Sequence, residues 1–319
     1  MSRGMDRERE ETMDRREFLK QVAAWSAGIT AAGPLFRMTS RAMAAEVAPK
    51  SVPTLALGTG ADYEKLVTRV LDALGGISKF VKPGAKVVVK PNIGWDRNPA
   101  QGADTHPQVV KALVKQALDA GASKVLVFDR TCNDNRRCYA NSGIAEAVES
   151  IGERRAVWEF IDDRKFVPVK IEKGVSLTEW QFYKDALDAD CYINVPVAKH
   201  HGLSRLTLGM KNIMGVIGGH RGEIHFSIGQ RLADLNTVVR PTLTVIDATR
   251  ILLRNGPQGG NLADVKMLDM VVASADPVAA DAYATTLFDL KPEDIASTCA
   301  AYKAGLGEMD LKKVRVLKI

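Results

Sequence analysis

Four of the chain's five histidines, His200, His201, His220 and His225, fall inside one stretch, "VAKHHGLSRLTLGMKNIMGVIGGHRGEIH", at 197–225. The same stretch carries Lys199, Arg205, Lys211 and Arg221, and an amide at Asn212. Imidazoles exchange protons near neutral pH and ligate metals, while lysines and amides donate to anions. Two Lys–Asn groupings, Lys90 with Asn92 and Lys211 with Asn212, join Lys199 in a donor-rich set suited to a carboxylate or phosphate. Lys211 lies in the apolar frame "LTLGMKNIMGVI", which makes a merely solvated lysine a poor reading. His200 and His225 are the candidates for moving a proton, with Lys211 beside them, or for holding a divalent metal. The histidine spacing fits no zinc pattern such as H-E-x-x-H. Neighbouring residues on a strand point to opposite sides, so at most one of His200 and His201 is expected to face a site.

Other chemistries lack their signatures. The glycines of "GMKNIMG" and "GVIGG" form no G-x-x-x-x-G-K-[ST] loop, and no G-x-S-x-G elbow occurs. The four cysteines contain no C-x-x-C-x-x-C run, which argues against an ordinary cysteine-ligated iron–sulfur cluster. Cys132 and Cys138 flank "NDNRR" and could bridge in an oxidising compartment, a pairing the sequence leaves open. His106, beside Pro107 at an expected helix start, reads as a local residue.

Placing these groups requires a scaffold, and the pattern is that of an α/β domain. "KVVVK" and "KVLVFD" read as strands, and "HPQVVKALVKQALDAGA" between them reads as a helix. Val109, Val110, Leu113, Val114, Ala117 and Leu118 give it one apolar face, with Thr105 as its expected N-cap. "SGIAEAVESIG" reads as a helix capped by Ser142. "FVPVKI", "CYINVPV", "TLTVIDA", "MVVAS" and "KKVRVLKI" read as further strands, and "DPVAADAYATTLFDL" and "PEDIASTCAAYKAGL" as helices. Such alternation predicts a mostly parallel or mixed sheet with helices on both faces. In open sheets of this kind ligands bind beyond the carboxyl ends of the strands. Those ends read Lys90-Pro91-Asn92, Asp129-Arg130, Lys199-His200-His201, Asp247 and Asp276. One edge is thereby expected to collect the charged and amide groups.

The first 45 residues read as a separate unit. "DRREFLKQVAAWSAGITAAG" has paired arginines, Arg15 and Arg16, then a short apolar run, and "RAMAA" supplies a cleavage spacing. This is the pattern of a twin-arginine signal peptide. It implies the twin-arginine translocation machinery as a partner and an extracytoplasmic, periplasmic destination for a folded domain at 46–319. Removing residues 1–44 takes eight Lys or Arg and six Asp or Glu from totals of 44 and 38, leaving a net charge of +4. That mild excess, with few aromatics, is no nucleic-acid footprint. No later segment has the length of a membrane span.

The ordered motifs "KPN", "DTHPQVVKAL", "GASKVLVFD", "INVPVAKHHGLSRLTLGMKNIMGVI", "TLTVIDA", "NGPQGG" and "ADPVAADAYA" resemble the bacterial and archaeal domain of unknown function 362 family. The resemblance covers roughly residues 52–306 and implies an α/β fold, with little about activity. Its motif positions fall on Lys90, Asn92, Thr105, Lys199, His200, Thr207, Lys211, Asn212, His225, Asp247, Asp276 and Asp281. Some members carry a ferredoxin-like cluster domain, whose cysteines this chain lacks.

Two functions are therefore open. One is an enzyme or enzyme-like binder of a small anionic ligand, held by Lys90, Asn92, Thr105, Lys199, Thr207, Asn212, Asp247 and Asp276. The other is an accessory protein holding a metal or redox cofactor through His200 and His225 without turnover. The signal reading has its own test. Mass spectrometry of the exported protein is expected to find both Met1 and Met13 removed.

Overall fold

The computed structural model describes residues 52–319, so the paired arginines and the expected signal segment lie outside the described residues. The chain enters through β1 (Thr54–Thr59) and α1 (Tyr63–Ala73), then β2 (Lys86–Pro91), α2 (Pro107–Asp119) and β3 (Lys124–Val127). Two short helices, α3 (Asn135–Asn141) and α4 (Ile144–Glu149), lead to β4 (Ala156–Trp158). A hairpin of β5 (Phe166–Lys170) and β6 (Glu179–Tyr183) precedes α5 (Lys184–Leu187), β7 (Cys191–Val195) and β8 (Val197–His201). Next come β9 (Arg205–Thr207), α6 (Gly209–Asn212), α7 (Ile228–Asn236) and β10 (Leu243–Leu252). The chain closes with β11 (Val265–Ser274), α8 (Pro277–Thr285), α9 (Ala296–Lys303) and β12 (Arg315–Lys318).

The main sheet runs β12-β1-β11-β10-β7-β2-β3-β4, with β8 paired to both β10 and β9. From β10 through β7, β2 and β3 to β4 every pairing is parallel, whereas β11 is antiparallel to both β10 and β1. The mostly parallel character follows from the residues. Val87 and Val89 enter one core with Leu66 and Val70 of α1 and Leu113 and Ala117 of α2. Val88, between them, enters the opposite core with Phe182 of β6 and Leu232 and Leu235 of α7. A strand with apolar residues on both sides needs cover on both faces. All six apolar positions expected on α2 are buried, each contributing roughly 1.5–3 kcal/mol for the larger side chains. Residues 52–319 belong to one compact unit.

Several sequence expectations need correction. "FVPVKI" does form a strand, but β5 pairs only with β6 in a separate antiparallel hairpin. "CYINVPV" does not run unbroken to the histidines. Pro196 divides it into β7 and β8, because proline has no N–H to give a neighbouring strand. β8 then pairs with β10 alone on its parallel side, Val197 opposite Asp247. α2 is capped by His106, whose side chain accepts from Gln108 N at 3.2 Å, and not by Thr105. Ser142 ends α3, and α4 starts at Gly143 in the left-handed region (φ 70°).

Candidate functional site

A cavity of about 450 Å³ opens at the carboxyl ends of β2 and β3, beside β8. Its floor is built on a buried ion pair. Lys90, the penultimate residue of β2, places Nζ 2.8 Å from Asp129 Oδ1 just past β3. Both side chains are almost wholly shielded from solvent. Lys90 Nζ also donates to Asn212 Oδ1 at 2.6 Å. The other Asp129 oxygen accepts from Ile93 N at 2.6 Å. Asn212 is saturated: Oδ1 further accepts from Asn92 Nδ2 at 3.3 Å, and Nδ2 donates to Lys90 O at 3.2 Å and Asn194 Oδ1 at 2.8 Å. Lys199 on β8 donates to Asn92 Oδ1 at 2.8 Å and to the Ala103 carbonyl. The two lysines and two asparagines are one hydrogen-bonded network.

Lys211 stands apart. It sits in α6, and the turn that carries it is held from below. Buried Asp281 accepts from Gly209 N at 2.7 Å and Met210 N at 2.9 Å, Asn194 Nδ2 donates to Gly209 O, and Asn236 Nδ2 donates to Met210 O. The lysine side chain itself lines the cavity, 8% of the residue remaining exposed. Burial pushes its amine down to about 7, and the neighbouring Lys199, Arg221 and Lys90 charges act in the same direction. No carboxylate pairs with it among the described residues.

The histidine at the cavity is His201, not His200. Lys199 and His201 are two apart on β8 and share a face, while His200 points away and accepts from Gly256 N at 3.1 Å. His201 Nδ1 accepts from Leu203 N at 3.1 Å and Ser204 N at 3.3 Å, which leaves the ring proton on Nε2. His225 does the reverse. Its Nδ1 faces Gly222 O at 3.1 Å, so the proton is there and the Nε2 lone pair is free. The two rings stack with centroids 5.9 Å apart. Burial pushes His201 down to about 3 and lowers His225 as well, with the charge of Lys211 adding to both, so both rings are neutral at pH 7.

The roof is the stretch 213–225, and two arginines fasten it. Arg130, after β3, donates to Ile217 O at 3.0 Å and Gly219 O at 3.3 Å. Arg221 reaches back to Arg130 O and Thr131 O, both at 2.8 Å, and to Met214 O at 3.1 Å. Gly215 passes over the floor so closely that a Cβ there would fall inside the Lys90–Asp129 pair.

Of the residues singled out from sequence, Lys90, Asn92, Lys199, Thr207, Lys211, Asn212 and His225 all line this cavity. Thr105, Asp247 and Asp276 do not. Thr105 Oγ1 ties Asn92 N to Val195 O, bracing the floor. Asp247 lies within β10, where its carboxylate accepts from His106 N and from Thr249 N and Oγ1. Asp276 caps α8 through Val278 N and Ala279 N. Because β11 runs antiparallel, its carboxyl end lies at the far edge of the sheet. Asp129 is the carboxylate paired with Lys90 at the floor. His201, Arg221 and Cys132 line the cavity without having been selected. Cys132 and Cys138 are both free thiols. Among the described residues, no group of three or more His, Cys, Asp or Glu is placed to hold a metal, and no helix is long and apolar enough to cross a membrane.

Fold and cavity together define an α/β protein with a cationic cavity at the carboxyl ends of its parallel strands. The chain belongs to the family described as Domain of unknown function (DUF362), whose model matches residues 87–286. It is 28% identical over 245 residues to the thylakoid-associated protein sll1697 of Synechocystis, covering 74% of this chain and 73% of the relative. Among solved structures it is similar to the lactate racemase apoprotein of Thermoanaerobacterium thermosaccharolyticum, at TM-score 0.42 and 10% identity over 70% of this chain. A Thermotoga maritima protein gives TM-score 0.40 and 11% identity over 72% of this chain. The chain spans 54% and 60% of the lengths of those two structures.

Two predictions follow from the geometry. Gly215→Ala is expected to destabilise the fold by about 1–3 kcal/mol, as overpacking against an immovable pair does; urea denaturation measures it. Lys211 costs stability, because the unfolded chain keeps its amine protonated up to about pH 10.5 while the folded protein releases the proton near 7. The full cost is present below pH 7 and fades as pH rises to 10.5. Lys211→Met is expected to raise the denaturation midpoint at pH 6 and to change it little near pH 10.

Proposed function

We propose that the cavity takes up a small anionic molecule, of the carboxylate or phosphate type, and that the protein acts on it as an enzyme. The observation carrying this reading is the charge of the lining: Lys90, Arg130, Lys199, Lys211 and Arg221 surround it against the single carboxylate of Asp129. Bringing like charges together in low dielectric is unfavourable, and an anion would relieve it. The volume suits a small ligand. Lys90 and Lys199 each spend two donors on the network and keep a third N–H for a ligand. Thr207 Oγ1 adds a further donor at the wall.

Proton transfer falls to the stacked histidines. His201 offers Nε2–H and His225 an Nε2 lone pair, so one ring can hydrogen-bond a developing oxyanion while the other takes a proton. Their depressed basicity keeps the pair neutral and ready at pH 7. Export by the paired arginines of the leader belongs to the same proposal, and would place this chemistry outside the cytoplasm. Replacing Arg15 and Arg16 with lysine is expected to retain the protein in the cytoplasmic fraction.

Binding of an anion should draw a proton onto Lys211, because a negative neighbour favours its charged form. Malonate or phosphate is expected to raise Tm, with proton uptake at pH 8 seen by titration calorimetry in buffers of different ionisation enthalpy. In Lys211→Met the uptake should vanish and affinity fall about tenfold or more, the equivalent of one lost charge-assisted contact. If neither anion changes Tm or heat, the anion reading fails.

A further inference from the structure

The three cavity lysines are not equivalent. Lys90 has an amide oxygen at 2.6 Å and a carboxylate at 2.8 Å, and Lys199 has an amide oxygen at 2.8 Å and a carbonyl. Each has oxygen acceptors for its N–H groups, which oppose the burial that lowers both amines, Lys199 to about 8. Lys211 is also buried, though less deeply, and among the described residues its one polar neighbour is the thioether of Met214, with Sδ 2.8 Å from Nζ. Sulfur is a weak acceptor and offers an ammonium little. A site that only needed a third cation would have supplied an oxygen. A neutral amine, by contrast, is content beside a thioether, and a neutral amine is a nucleophile.

We propose, building on the anion-cavity reading, that Lys211 forms an imine with the carbonyl of a small oxo acid whose carboxylate is held by Lys90 and Lys199. The Nζ lone pair attacks the carbonyl carbon, and the carbonyl π electrons pass to oxygen, which takes up a proton. Nζ then loses a proton to give the carbinolamine, a second proton adds to its oxygen, the C–O bond breaks as water leaves and the C=N bond forms, and the nitrogen gives up its remaining proton. Amine and carbonyl give imine and water, with no oxidant or reductant. The protons that Nζ gives up must reach the departing oxygen; His225 Nε2 can carry them, while His201 Nε2–H on its neutral ring donates a hydrogen bond in the same cavity. Lys211 is also well aimed: its turn is fixed by Asp281, Asn194 and Asn236, so little ordering remains at the moment of attack. Burial leaves much of the amine unprotonated at pH 7–8 in the empty cavity, and the attack draws on the fraction still neutral once the carboxylate is bound.

The test is reductive trapping. The whole protein is incubated with glyoxylate or pyruvate, treated with sodium borohydride, and measured by intact mass and peptide mapping. A single adduct on Lys211 is expected, suppressed by excess malonate and absent from Lys211→Arg, whose folding is checked by its own Tm. Mapping on the unsubstituted protein decides the point even if that variant folds poorly. Malonate binding without an adduct overturns the imine and leaves the anion reading standing. Adducts spread over exposed lysines, at equal yield in Lys211→Arg, overturn it as well. If neither malonate nor an oxo acid binds, the underlying anion reading falls too.

Discussion

A lysine and an aspartate paired in the dry interior are the constraint around which the rest of this molecule is arranged. Lys90 and Asp129 come from neighbouring parallel strands and are both almost wholly shielded. Burying either alone would cost several kcal/mol, so each is tolerable only with the other in place. The pair also sets what can pass above it. Gly215 is glycine because no side chain fits there, and Asn212 must present its oxygen to Lys90. The roof is thus fitted to the floor atom by atom, and the cavity is the space left between them.

Much of this was legible in the chain. Binary pattern gave β2, α2 and β3, and the rule that ligands gather at carboxyl strand ends pointed to Lys90, Asn92 and Lys199. Strand alternation held a further message. Once Lys199 is assigned to the cavity, period two requires His201 on the same face, and His200 on the other. Strand direction was harder. Nothing in "MVVAS" says that β11 is antiparallel, and that direction is what carries Asp276 to the far edge of the sheet. Asp247 failed for a different reason: β10 continues to Leu252, well past the aspartate, so the residue lies inside the strand. Gly215 could not be read at all, because its neighbours in space are 125 and 86 positions away in sequence.

The histidines show how backbone contacts confer chemistry that residue type cannot. Two identical side chains stack at 5.9 Å, but one ring meets N–H groups and the other meets a carbonyl. Opposite tautomers result, and with them a donor and an acceptor from the same amino acid. Sequence places two imidazoles in a stretch; only the loop backbones at 203–204 and 222 distinguish them.

The arginine fastening of the roof has a consequence of a different kind. Arg130 and Arg221 hold the segment entirely through main-chain carbonyls. Every amino acid offers that carbonyl. Apart from Arg221 itself and Gly215, the roof side chains that touch the cavity, Met214 and His225, take no part in that fastening and can be exchanged one at a time while the frame stays where it is. Such a lining can acquire a new preference for its guest by small steps, without the scaffold ever passing through a loosened form.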